Sequence, residues 1–279
     1  MSRLKSFYHA LVPPPIRYPI GRFRRGLLDL GRRLATRGPL PPRQLLTRVQ
    51  LTPWIGEYLE IGAKAAAAIR GILAAAVPGN GPRVLDFGCG LGRVLRHFGD
   101  VAAADGGWEL HGCDVDPATL AWSRRAFPFA HLARSGEEPP LPYPASRFDA
   151  VYAVSVFSHF DAAEQRRWAA ELARVLAPAG LAVITTMGPR AFGSFPGLAT
   201  AANRRRLDGE GFFFYPGEGD PPAFNARGAF HTAAGLEGFF AGGFELERWI
   251  EGGLDGFQDL AVFRRRQLVP EVGVEPTRP

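Results

Sequence analysis

The stretch VLDFGCGLGR, residues 84–93, constrains the fold of this chain more than any other part of its sequence. A short apolar run, typical of a buried strand, ends at Asp86 and is followed by glycines at positions 88, 90 and 92. Glycines where a strand turns into a helix let the backbone approach a ligand closely. A dinucleotide-binding turn needs the spacing G-x-G-x-x-G, whereas this loop has G-x-G-x-G. Because the carboxylate of Asp86 would repel a pyrophosphate, the loop favours a ligand with a positive end, such as an ammonium or a sulfonium.

Strands and helices alternate through the middle of the chain, which predicts a parallel sheet with helices on both faces. The predicted strands are 84–87, 109–114, 129–133, 148–156 and 181–186, and the predicted helices are 20–34, 56–76, 92–98, 117–127 and 161–176. The last of these helices begins with Asp161 and Glu164 at the spacing of a capping box. Beyond Gly188 the pattern predicts an irregular stretch over 203–227, then a helix over 233–240. Two closing strands, 244–250 and 259–264, are expected to form a hairpin with a long loop.

Four stretches, in their order and spacing, resemble the motifs of class I S-adenosylmethionine-dependent methyltransferases. They are VLDFGCGLGR, LHGCDVDPATLAWSRRAF, RFDAVYAVSVFSHF and ELARVLAPAGLAVITTMG. The resemblance covers about residues 55–190. It implies an α/β, Rossmann-like fold with a seven-stranded, mostly parallel sheet whose last strand runs antiparallel, and it implies S-adenosyl-L-methionine as cofactor.

The resemblance also implies cofactor contacts at the ends of the first, second and fourth strands. The residues that would line the methionine part are Asp86, Gly88, Cys89 and Gly90. Asp114 would accept hydrogen bonds from both ribose hydroxyls, because each oxygen of a carboxylate can take one. Val115 and Asp116 would lie near the adenine edge. The residues that would lie under the methyl group are Ser155, Val156 and Phe157. The residue that touches the adenine after the third strand is left open among Ser135, Gly136, Glu137 and Glu138.

Methyl transfer from a sulfonium is a direct displacement, so the protein mainly holds the acceptor in line and keeps water out. A base is needed only if the acceptor is a hydroxyl or a protonated amine. The candidates are His159, which follows the fourth strand, and His231, which precedes the late helix. The alternatives are that His159 packs against or caps the helix from Asp161, and that His231 is a capping or surface residue.

The sequence predicts a methyltransferase acting on a small-molecule or glycan acceptor, with O-methylation favoured. This acceptor class follows from a similarity to methyltransferase-domain proteins associated with bacterial surface-polysaccharide synthesis. An N-methyltransferase or a natural-product methyltransferase is the alternative enzyme, and an inactive cofactor-binding or scaffold protein is the alternative of another class. A nucleic-acid acceptor is not expected. The N/D-P-P-Y/F motif of amino-methylating enzymes is replaced here by the sequence SVFS at 155–158.

The charge of the chain is concentrated at its start, where residues 1–50 carry eleven lysines and arginines against one acid, Asp29. The remaining residues carry twenty-two basic and twenty-six acidic side chains, so the body is slightly acidic. A basic arm suits phosphates, anionic lipid or an acidic partner, and the alternative is a solubilising extension. Peripheral membrane contact through this arm is therefore one expectation for an otherwise cytoplasmic protein. The oligomeric state is left open.

Composition also sets the expected domain organisation. Residues 1–50 are predicted to form a Pro/Arg-rich extension and 51–266 the methyltransferase domain. Within that domain 191–232 is expected to be an irregular lid or acceptor region, and 267–279 a disordered tail. Two cysteines do not predict a disulfide framework, and neither pairs with histidine at zinc spacing, so no metal site is expected.

Overall fold

The computed structural model describes residues 14–77, 81–104, 107–218 and 226–267, with side chains described from residue 24 onward. Most of the tail predicted to be disordered, from residue 268 on, lies outside these ranges. In chain order, the strands are β1 (Arg83–Phe87), β2 (Glu109–Asp114), β3 (His131–Arg134), β4 (Phe148–Ala153), β5 (Leu176–Thr186), β6 (Phe212–Tyr215), β7 (Gly228–His231), β8 (Phe244–Leu254) and β9 (Gln258–Arg265).

Seven of these strands form one sheet in the order β3-β2-β1-β4-β5-β9-β8. The five strands from β3 to β5 in this order are parallel to their neighbours, and β1 and β4 pair at the centre. Strand β9 runs antiparallel to both β5 and β8. The fold predicted from the sequence is therefore confirmed, including the antiparallel last strand. The order reverses at β1, and the carboxyl ends of β1, β2 and β4 meet at this point of the sheet, where open α/β folds bind their ligands.

Helices cover the sheet and precede it. They are α1 (Pro14–Ala35), α2 (Arg43–Gln50), α3 (Ile55–Ala76), α4 (Gly99–Ala103), α5 (Pro117–Ala126), α6 (Ala162–Val175), α7 (Pro189–Phe192), α8 (Ala201–Glu210) and α9 (Ala233–Phe240). The predicted capping box is present at the start of α6, where the Asp161 side chain accepts from the backbone and Glu164 reaches back to the Asp161 N–H. This reciprocal cap fixes the start of the helix directly after the β4 loop.

Neighbouring residues of each central strand enter different cores, because side chains alternate across a strand. On one face, Leu85 and Val151 pack with the apolar residues of α6 and α9. On the other, Val84 and Ala150 pack with the alanine-rich α3. Both faces of the sheet are therefore buried, as the near-continuous apolar strands predict.

The prediction of a helix over 92–98 is wrong for most of that range. The chain turns there and forms only a short 3-10 helix, Leu95–His97. Three glycines with positive φ precede it, and this backbone does not continue into an α-helix. The fourth strand is also shorter than predicted, since Ser155 adopts φ 60° and pairing ends at Ala153.

Of the stretch expected to be irregular, 203–227, the described residues before 216 are largely in regular structure, and residues 219–225 lie outside the described ranges. The stretch contributes most of α8 and all of β6, which pairs antiparallel with β7. Helix α8 escaped prediction because Leu207 is its only buried residue, so it has no apolar stripe. Phe213 of β6 and Phe230 of β7 pack in a small separate core with Phe192.

The closing strands are joined by a short turn instead of a long loop. Strand β8 extends to Leu254, which pairs with Gln258, and only residues 255–257 lie between them. Positive φ values at Asp255 and Gly256 make this tight connection. The turn places the start of β9 beside the carboxyl end of β5, where Thr186 pairs with Asp259.

Helices α1 and α2 precede α3 and the sheet in the chain. Helix α1 matches the predicted helix over 20–34 and extends it, and α2 buries Leu46 against Ile55 and Tyr58 at the start of α3. Among the described residues, no helix combines the length and apolar character needed to cross a membrane.

Candidate active site

The glycine loop after β1 needs glycine for two reasons. Gly88, Gly90 and Gly92 all have positive φ, at 74°, 49° and 64°. A Cβ at Gly88 would lie 2.5 Å from Cγ2 of Val156, and a Cβ at Gly92 would lie 2.4 Å from Cε2 of Phe127. The loop is therefore pressed between the segment that follows β4 and the end of α5.

Asp114 lies at the carboxyl end of β2 and orders the glycine loop. Its Oδ2 accepts from the Gly90 N–H at 2.8 Å, and its Oδ1 accepts from the Asp116 N–H at 2.9 Å. Each carboxylate oxygen has a second lone pair beyond the one used here. These two acceptor oxygens thus fit the two ribose hydroxyls that the resemblance assigns to Asp114, and Val115 is exposed beside them.

Asp86 is a buried carboxylate at the end of β1. Burial raises its pKa to about 8, although the hydroxyl of Tyr152 and the charge of Arg93 act in the opposite direction. A positive ligand group would stabilise the ionised form that burial disfavours. The residue therefore fits the cationic methionine part of S-adenosylmethionine.

Cys89 contributes to the loop mainly through its backbone. Its N–H donates to the Cys113 carbonyl at 3.0 Å, and its side chain packs in the core that contains α3. Burial raises the pKa of the Cys89 thiol, so it stays protonated. Both cysteines are free thiols.

The segment after β4 joins three parts of the chain through Ser155. The Ser155 N–H donates to Oγ1 of Thr185 at 2.8 Å, and its hydroxyl lies 3.1 Å from Oε1 of Gln258 and accepts from Nη2 of Arg93 at 2.8 Å. Val156 and Phe157 follow as buried residues. This network holds the segment against the glycine loop.

Sequence reasoning missed Arg93, Thr185 and Gln258. Arg93 directly follows the glycine loop, and a basic residue so close to a buried Asp86 is a signal that could have indicated it. Thr185 lies on β5, which pairs in parallel with β4, and Gln258 lies on β9, which reaches Ser155 only through its antiparallel placement beside β5.

His159 is held in a defined tautomer. Its Nδ1 lies 2.8 Å from the Arg227 carbonyl oxygen, which can only accept, so Nδ1 carries the proton and Nε2 the lone pair. Burial lowers the pKa of His159, and the carbonyl contact only partly opposes this. The imidazole is therefore neutral around pH 7. Arg227 in turn is ion-paired with Glu164, so the cap of α6 helps to position this histidine.

His231 lies in a different environment, fully buried on β7. Its Nδ1 is 2.6 Å from Oγ1 of Thr186, and its ring packs against Phe212 and Phe239. Burial lowers its pKa to about 3. His231 is thus a neutral imidazole within an aromatic core, and neither a capping nor a surface residue.

Helix α2 lies over the glycine loop. Nε of Arg48 pairs with Oδ2 of Asp116 at 2.5 Å, and a Cβ at Gly90 would be 3.5 Å from Cγ1 of Val49. Tyr58 adds a hydrogen bond from its hydroxyl to the Leu91 carbonyl at 2.9 Å. Residues before the sheet therefore cover one side of the candidate cofactor site. Among the described residues, no cluster of His, Cys, Asp or Glu side chains is arranged to hold a metal ion.

The central part of the sequence matches a family model, and the fold is similar to that of solved structures. Residues 85–184 match the family model of a methyltransferase domain. A SAM-dependent methyltransferase from Aquifex aeolicus aligns over 81% of this chain and 100% of its own, at 14% identity and a TM-score of 0.51. A SAM-dependent methyltransferase from Methanosarcina mazei aligns over 71% and 98%, at 16% identity and a TM-score of 0.52. The cyclase SpnF aligns over 83% and 99%, at 16% identity and a TM-score of 0.52. At these identities the solved structures are similar to this chain in fold.

Proposed function

The chain contains a methyltransferase domain of the class I kind, with S-adenosylmethionine as its cofactor, and we propose that it methylates an oxygen atom of a small-molecule or glycan acceptor. When bound, the cofactor supplies the electrophilic methyl group. Asp86, the glycine loop and Asp114 would hold it, and the segment 155–157 would lie under the methyl group. The region 191–232 shapes the acceptor side, because loops and inserts next to a fixed scaffold set specificity.

The observation that carries O-methylation is the state of His159. A hydroxyl must lose its proton as it attacks, and a neutral imidazole with its lone pair on Nε2 is the form that can take it. The hydrogen bond from Nδ1 to the Arg227 carbonyl selects this tautomer, and burial keeps the ring neutral. His159 also belongs to the segment that packs on the glycine loop through Val156. We therefore favour His159 over the buried His231 as the general base.

The alternatives keep the same cofactor site. An N-methyltransferase or natural-product methyltransferase would need no proton transfer to His159 if its amine arrives uncharged. SpnF carries the name of a cyclase on a similar fold, and a cofactor-binding protein without methyl transfer is accordingly the alternative of another class. We further propose that the enzyme is cytoplasmic and contacts an anionic membrane surface through residues 1–50.

Transfer of labelled methyl groups from S-adenosylmethionine tests the proposal. Panels of sugars, phenols and amines are the acceptors, and we expect label in hydroxylated compounds. His159→Gln is expected to lower kcat by roughly 100-fold, the usual contribution of a general base, while cofactor affinity is unchanged. His131→Gln serves as the matched control on β3. If the label is instead found in amines, and the His159→Gln variant is as active as the original protein, O-methylation is contradicted.

A further inference from the structure

Helix α1 is docked on the body by its charged side. Asp29 is buried; its Oδ2 accepts from Arg33 and Arg43, each at 2.9 Å, and its Oδ1 accepts from the Ile55 N–H at 2.6 Å. Arg32 adds an ion pair with Glu60 at 2.5 Å. The polar contacts of this helix thus face inward, which is the reverse of an ordinary amphipathic surface helix.

The leucines of α1 face outward. Leu27, Leu30 and Leu34 are 54%, 50% and 79% exposed, and their spacing of three and four residues places them on one stripe. Leu28 is 62% exposed, but it lies at the edge of the groove between α1 and the start of α3, beside Asp29 and Trp54. An exposed stripe of large apolar side chains on a helix marks an interaction surface.

The same outward side is positive and carries no acid. Asp29 is the one acidic residue between positions 14 and 35, and it is buried against two arginines. Arg24 is exposed next to the leucines, whereas Arg25 lies on the inward side and lines the groove between α1 and the start of α3 with Asp29 and Arg32. We name the set Leu27, Leu30 and Leu34 with Arg24 the outer face of α1.

We propose that the outer face of α1 binds the surface of an anionic lipid bilayer, with the helix lying in the plane of the interface. Leucines would enter the acyl boundary while Arg24 meets lipid phosphates, the combination that holds interfacial helices. This inference rests on the proposed membrane contact, but not on the identity of the acceptor. The basic arm could contact the membrane through charge alone, whereas the contact proposed here also needs the leucines of α1.

Charge complementarity favours lipid over a second copy of this chain. A symmetric dimer through the outer face would bring the arginines of two identical helices to one interface, and the face offers no acid to pair with them. An anionic bilayer supplies the missing negative charge. The helix also needs no rearrangement, because its leucines already point away from the body.

Co-sedimentation of the full chain with vesicles tests the inference. Vesicles of phosphatidylcholine with phosphatidylglycerol are compared with vesicles of phosphatidylcholine alone. We expect binding to the anionic vesicles, and we expect the triple variant Leu27→Gln, Leu30→Gln, Leu34→Gln to lower the partition constant by about tenfold or more. The control is Leu51→Gln with Phe257→Gln, two other exposed apolar residues outside α1, which should bind within about twofold of the original chain. Unchanged affinity for S-adenosylhomocysteine shows that each variant is folded.

Three results would overturn the inference, and they are distinguishable. If the triple variant binds anionic vesicles as the original chain does, the contact is made elsewhere in the basic arm and the membrane proposal stands without the leucines. If the original chain binds no vesicles, both fail together. If ultracentrifugation without lipid shows a dimer that the triple variant loses, the outer face belongs to a second copy.

Discussion

Asp86 is the residue at which charge and burial oppose each other most directly. A carboxylate that is buried at the end of β1 is costly in its ionised form, and its pKa near 8 expresses that cost. In the proposed site, a cation of the cofactor would offset this cost only when the carboxylate is ionised. The unliganded residue is thus mostly protonated at pH 6.5 and mostly ionised at pH 9.

A pH dependence follows for the sulfonium alone. S-adenosylmethionine carries this charge and S-adenosylhomocysteine does not. As pH rises from 6.5 to 9 and Asp86 ionises, we expect its carboxylate to raise the preference for S-adenosylmethionine by about tenfold, or 1.4 kcal/mol, relative to Asp86→Asn. Calorimetric titration of both ligands with both proteins at each pH measures it, and the comparison of the two proteins cancels the titration of the ligands' own amino groups. A slope in Asp86→Asn equal to that of the original protein would reject the role of Asp86.

At the scale of elements, the glycine loop lies so close to its neighbours that side chains would not fit at two of its positions. β1 and the segment after β4 approach so closely that Gly88 touches Val156, and α5 returns so closely that Gly92 touches the Phe127 ring. Neither contact leaves space for a side chain, and both positions have positive φ. The loop geometry that serves a cofactor is therefore maintained by its neighbours.

Gly92→Ala tests this loop. A methyl group would meet the Phe127 ring in a backbone conformation that alanine disfavours, so we expect a loss of about 2 kcal/mol or more in the free energy of unfolding and weaker cofactor binding. Denaturant unfolding and calorimetry measure the two effects. The matched control is Gly71→Ala in α3, where a Cβ has open space, and it should be neutral or slightly stabilising. Equal behaviour of the two variants would count against the steric argument.

The order of the central elements was predictable because the apolar strands and the α6 capping box are local signals. Helix α8 was not, since its ten residues bury only Leu207 and are governed by the Thr200 cap and by Gly211 at its end. In the candidate site, Asp86 and Asp114 follow from the strand ends. Gln258 does not, because its distance of 103 residues from Ser155 is closed only by the antiparallel β9.

At the scale of the whole molecule, described segments near both ends of the chain pack against α3 and the glycine loop. The β8–β9 turn is tied to α3 by the ion pair of Lys64 with Asp255. At the other end, Asp29 fastens α1 to the start of α3, and α2 then lies over the glycine loop. The cofactor site is therefore closed by segments that lie far from its motifs in sequence.

Asp29→Ala should release α1. The pKa of Asp29 is lowered because, although burial raises it, hydrogen bonds from the Ile55 N–H, Arg43 and Arg33 outweigh that effect. Removing the carboxylate leaves the buried Ile55 N–H without its acceptor and two partly exposed arginines without their partner, which typically costs about 1–3 kcal/mol. We expect trypsin to cleave at Arg32, Arg33 or Arg37 several times faster, as followed by mass spectrometry. Glu60→Ala, which removes an exposed pair of the same helix, should cleave nearly as the original chain, and equal rates for both variants would contradict the anchoring role of Asp29.

Calorimetric titration with S-adenosylhomocysteine, the product of methyl transfer, tests the central claim most directly. We expect micromolar binding to the original chain, and a loss of roughly 1–3 kcal/mol in Asp114→Ala, the scale of charged hydrogen bonds removed from a ligand. Asp100→Ala, an exposed acid paired with Arg70, should bind as the original chain does. Absence of binding by the folded original chain, or an unchanged dissociation constant in Asp114→Ala, would contradict the cofactor site described for the ends of β1, β2 and β4.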